Sequence, residues 1–82
     1  MSEQMCIAIE ELFDACFRNL TKSVGTNAAE NYDSLAEVRE EYLSIKDHEY
    51  SLDKEKDLIS ILICLADFRG QQEYEMRKRK RN

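Results

Sequence analysis

The sequence predicts an all-α fold, a small bundle of three main helices with a further short turn of helix near residues 28–32. Two observations predict it. Apolar residues recur at spacings of three and four, without the alternation a strand needs. The 82 residues include no proline and only two glycines, Gly25 and Gly70, too few turn formers for a β-rich domain.

The first helix is expected over Glu3–Lys22, with Ser2 as its N-cap. Met5, Cys6, Ile9, Leu12, Phe13, Cys16, Phe17 and Leu20 draw one stripe along it, and Glu10, Glu11, Asp14 and Arg18 fall outside. The segment 23–27 breaks the pattern, with Gly25 suited to a left-handed C-terminal position. Two starts compete for the second helix. Asn27 could cap a turn beginning at Ala28, and Ser34-x-x-Glu37 reads as a capping box. The reading adopted is a turn near 28–32 running into a main helix at 34–47. Leu35, Val38, Tyr42 and Ile45 form its seam.

The third helix is expected from about Asp53, capped by Ser51 or Asp53. Leu58–Phe68 is apolar on nearly every side, so it reads as the central helix, covered by the others or by another chain. Isoleucines 59, 61 and 63 would also suit a buried strand, but the charged helical flanks decide for helix. Gly70 costs a helix about 1 kcal/mol relative to alanine and marks a place for a kink or an end. Residues 71–80 are rich in helix formers, so the helix is expected to resume there. The expected core is Ile9, Leu12, Phe13, Cys16, Leu35, Tyr42, Leu58, Leu62, Leu65 and Phe68.

The formal net charge is −5. The run Arg77-Lys78-Arg79-Lys80-Arg81 alone supplies +5, which leaves −10 on the rest of the chain. The chain therefore divides into one helical domain, residues 1–76, and a basic C-terminal tail, residues 77–82. Such a body repels nucleic acid and anionic membrane, and such a tail attracts both. No aromatic residue interleaves the five cations, so base stacking is not implied. The second helix carries mainly glutamate, unlike a recognition helix. Nucleic acid is accordingly not the expected partner.

Catalytic chemistry finds no constellation. There is no Gly-rich phosphate loop, no GxSxG, no HExxH and no EF-hand loop. Cys6, Cys16 and Cys64 all sit in apolar stretches, form no CxxC or Cys/His cluster, and read as buried free thiols of a reducing compartment. His48, alone near a helix C-terminus, reads as solvated and favoured by the helix dipole. The expectation is a protein that is not an enzyme, with no catalytic, metal or cofactor residues and no small-molecule substrate. No basic leader region opens the sequence, and the longest apolar stretch, Leu58–Ala66, is far short of the ~20 residues that span a bilayer. A cytoplasmic location follows as an expectation, with membrane contact only through a partner or the tail.

What remains is binding. Eight residues are the candidate partner contacts: Glu37, Glu40 and Glu41 on the acidic second helix, and Arg77, Lys78, Arg79, Lys80 and Arg81 in the tail. The bland alternatives are a solvated acidic face and a solubilising terminus. A homodimer is also expected, burying part of the Leu58–Phe68 helix or of the first helix's stripe, because two short helices cannot easily cover so many apolar positions.

In length and character, and in its two ends Met1-Ser2-Glu3-Gln4-Met5-Cys6 and Arg77–Asn82, the chain resembles the cytoplasmic lysis-inhibition proteins of T-even bacteriophages. The resemblance implies an antiholin of the host cytoplasm. Such a protein would bind the cytoplasmic segment of a holin, or another lysis regulator, and hinder hole formation. It carries no site residue over. Two other classes stay open, a phage inhibitor of a host enzyme or defence complex acting through the acidic face, and a nucleic-acid-associated regulator using the basic tail.

Overall fold

A computed structural model of the chain describes residues 2–22 and 28–80. They form three helices, α1 (Ser2–Lys22), α2 (Ala28–Lys46) and α3 (Leu52–Lys80), and no strand among the described residues. The radius of gyration is 14.0 Å, above the roughly 12 Å of a compact domain this size. The molecule is elongated, 48 × 20 × 15 Å, because α3 alone is about 43 Å long at 1.5 Å per residue.

The core is one cluster of Ile9, Phe13, Cys16, Leu35, Tyr42, Ile45, Leu58, Ile61 and Leu65. Phe13 packs against Tyr42 with ring centroids 5.7 Å apart, and Phe17 meets Tyr32 edge-on at 5.7 Å. These contacts join the stripe of α1 to the seam of α2.

Three expectations change. First, α2 is one continuous helix from Ala28, so the turn near 28–32 is its first part, and Ser34 lies inside it as an exposed residue. The capping box is unused there. The alternative cap, Asn27, and the break at 23–27 with Gly25 lie outside the described residues.

Second, Leu12, Leu62 and Phe68 are only partly buried, while Ile61 and Ile45 are buried. Leu58, Ile61, Leu65 and Phe68 recur at three, four and three and share the side of α3 that faces the bundle. Leu62 stands one residue, about 100° of rotation, off Ile61.

Third, α3 is covered on one side only. Ile59 and Ile63 are 40% and 64% exposed. Cys64 is exposed and Cys6 partly buried, so only Cys16 is a buried thiol.

The start of α3 follows the first of the two expected caps. The Lys54 amide donates to Ser51 Oγ at 3.1 Å, and the Glu55 amide closes the first helical bond on the Ser51 carbonyl at 3.1 Å. His48 is exposed, as expected for a residue at the end of α2. Gly70 neither ends nor breaks α3. Its φ is not positive, and a Cβ built on it meets nothing within 4 Å.

Candidate functional site

The phase of α2 fixes where its acids point. With Leu35, Tyr42 and Ile45 turned to the core, the 3.6-residue turn places Glu30, Asp33, Glu37, Glu40 and Glu41 together on the outer side. All five are exposed. None of them takes part in an ion pair among the described residues, where the salt bridges are Lys46–Glu10 and Arg69–Glu73. The face therefore offers carboxylate acceptors with no cation engaged, suited to Lys or Arg side chains of a partner.

The basic run stands at the other end of α3. The helix continues through Lys80, so residues 77–80 extend it. Arg77 and Lys78 are exposed. Arg79 and Lys80 are placed there by the backbone, and Arg81 lies outside the described residues. The structure thus groups Glu37, Glu40 and Glu41 on one face and puts Arg77 and Lys78 on a different helix, with no ion pair linking them among the described residues.

Two polar stitches hold these helices in register, and neither was anticipated from the sequence. The Tyr42 hydroxyl donates to Glu10 Oε2 at 2.5 Å, with the Cys6 carbonyl as a weaker acceptor at 3.5 Å. Lys46 Nζ reaches the same carboxylate oxygen at 3.1 Å. The hydrogen bond from Tyr42, then that from Lys46, holds the Glu10 carboxyl below its ordinary range. Burial, followed by the hydrogen bond to Glu10, pushes the Tyr42 phenol well above its ordinary range. On the other side of α1, Gln72 Nε2 donates to the Cys16 carbonyl at 3.2 Å, and Asn19 Nδ2 donates to Gln72 Oε1 at 3.2 Å. The pairs are 32 and 53 residues apart in sequence, so local spacing carries no sign of them.

The outer side of α3 carries a shallow cavity of about 450 Å³ lined by Ala66, Asp67, Gly70, Gln71, Tyr74 and Glu75. No group of three or more His, Cys, Asp or Glu side chains able to hold a metal ion occurs among the described residues. Among the described residues no helix is long and apolar enough to cross a membrane.

Fold and surface together define a small three-helix bundle with divided charge. Compared with known proteins, the chain matches no family profile, no curated protein and no solved structure.

Proposed function

We propose that the chain is a non-enzymatic regulator that acts stoichiometrically, by occupying a cytoplasmic surface of a membrane-associated partner. The observation that carries this reading is the outer face of α2, where Glu37, Glu40 and Glu41 stand exposed without a cation among the described residues. Such a face suits a basic segment of the kind that lies beside a membrane span. The exposed cations Arg77 and Lys78 add attraction to an anionic leaflet, about 1 kcal/mol for each charge near the surface. That biases location without anchoring the chain.

The resemblance to T-even lysis-inhibition proteins selects the partner class, a phage holin, and the role, an antiholin that delays lysis from the host cytoplasm. The test is titration of the purified chain with the soluble cytoplasmic segment of a T-even holin. A complex is expected whose affinity falls with added salt and with the triple substitution Glu37→Gln, Glu40→Gln, Glu41→Gln. Truncation after Met76 should weaken recruitment to anionic vesicles and leave the fold intact, because among the described residues the last buried one is Leu65. No complex at micromolar concentrations, together with unchanged lysis timing when the gene is deleted, overturns the antiholin reading in favour of a host enzyme or defence complex as the target.

A further inference from the structure

The side of α3 turned away from the bundle is apolar too. Leu52, Ile59, Ile63 and Tyr74 are exposed to 71%, 40%, 64% and 60%. At 3.6 residues per turn they fall, with Ala66 and Gly70, inside a stripe about 80° wide that also carries the exposed cations Lys56 and Arg77. Leu58, Ile61, Leu65 and Phe68 occupy the opposite side and face α1 and α2. A helix with two opposed apolar sides has a second surface to bury, and it is α3's own charge pattern that identifies what covers it.

The stripe is nearly symmetric about Ile63. Leu52 lies eleven residues before it and Tyr74 eleven after. Laying a second copy of α3 antiparallel, with Ile63 against Ile63, brings Leu52 of each copy onto Tyr74 of the other. Ile59 then stands over Asp67, between Ala66 and Gly70 at the edge of the shallow cavity, where the two small residues leave room for its side chain and the Asp67 carboxylate turns outward to solvent.

The charges agree with this register. Lys56 of one copy comes within a helical turn of Asp67 of the other. The end bearing Arg77 and Lys78 comes over the other copy's α2–α3 turn, where the exposed acids Asp47, Glu49 and Asp53 outnumber the cations Lys46 and Lys54. A parallel pair would instead set cation against cation at one end and acid against acid at the other, which costs affinity.

We infer that the outer side of α3 is the interface of an antiparallel homodimer, with its two-fold axis at Ile63. The inference rests on α3 alone, and in the dimer Arg77 and Lys78 are turned toward the second copy, so leaflet attraction belongs to the single chain. The dimer leaves the acidic face of α2 open on both copies.

Sedimentation equilibrium on the full chain should show a dimer at micromolar concentrations, weakened by salt. Ile63→Glu places two carboxylates against each other on the axis and should raise the dissociation constant at least about a hundredfold, roughly the effect of two lost increments of 1.4 kcal/mol. Because Ile63 is solvent-exposed in the single chain, the helical circular dichroism spectrum should not change.

Register is read separately. In a Cys64→Ser background, Leu52→Cys and Tyr74→Cys proteins of different tag length are mixed and treated with a short bismaleimide. Antiparallel pairing links the mixed species and neither protein to itself, since like positions are about 33 Å apart along the helices. Self-linking of each protein would mean a parallel pair and would overturn the inference. So would a wild-type chain that remains monomeric, or an Ile63→Glu variant that stays folded and dimerises as tightly as wild type.

Discussion

Tyr42 on α2 and Glu10 on α1 share a 2.5 Å hydrogen bond across a helix interface in which the phenol ring is buried and the carboxylate half-exposed. The ring contributes to the core against Phe13, and the hydroxyl delivers a directed bond to a charge that water still reaches.

Removing only the hydroxyl separates these roles. Tyr42→Phe keeps the packing and should cost about 1 kcal/mol, the net worth of a typical hydrogen bond, because Glu10 regains water when the phenol is lost. Tyr42→Ala also opens a cavity and should cost about 3–5 kcal/mol. Urea unfolding followed by circular dichroism measures both.

The same bond predicts an acid dependence. The Glu10 carboxyl is held below its ordinary range in the folded chain. It therefore contributes stability that is fully present above its unfolded value, near 4.5, and lost as pH falls through its lower folded value. Glu10→Gln should lower stability at neutral pH and flatten the fall in unfolding free energy below about pH 4.5 relative to wild type. Parallel pH curves for the two proteins would refute this role for Glu10.

Two adjacent residues of α3 should differ in their sensitivity. Ile61 is 6% exposed and Leu62 only partly buried against the core. Ile61→Ala should cost about 2–5 kcal/mol as a cavity-forming change, and Leu62→Ala distinctly less, by chemical denaturation.

The cysteines should separate by reactivity. Burial pushes the Cys16 thiol up to about 11, and its Sγ lies 3.9 Å from the Leu65 carbonyl, whereas Cys64 is exposed. Iodoacetamide at neutral pH should label Cys64 first and leave Cys16 unmodified until the chain unfolds, as read by peptide mass spectrometry.

In the monomeric Ile63→Glu background, Gly70→Ala should stabilise the fold. The helical backbone there accepts a side chain, and the added Cβ meets nothing within 4 Å. The gain should be about 0.5–1 kcal/mol, a rise of several degrees in Tm for a domain this size.

The three helices were legible in the sequence because spacing of three and four marks one face without reference to the rest of the fold. That signal phased α1 well, and Ile9, Phe13 and Cys16 are buried. It failed between Leu58 and Phe68 for a physical reason. With nearly every position there apolar, hydrophobicity alone cannot say which side turns inward, and Leu62 was favoured over Ile61. The sequence offered two starts for α2 because Ser34-x-x-Glu37 has cap chemistry, and the helix takes the earlier one at Ala28, where the packing of Tyr32 on Phe17 rewards the added turn. The exposed acids on α2 were legible from the same periodicity that placed Leu35 and Tyr42. The stitches through Glu10 and Gln72 were not, since tertiary hydrogen bonds depend on which helices meet.

Because α3 runs unbroken past Gly70 to Lys80, its cations sit at a fixed distance from the acids of the bundle. That separation, along a body 48 Å in its longest dimension, gives a single chain a permanent electric moment. In the field of a charged partner or an anionic bilayer the chain turns before it touches, so added salt should slow association more than it speeds release. Two chains joined antiparallel along α3 cancel the lengthwise part of that moment, so the assembled pair would no longer approach such a surface end-on.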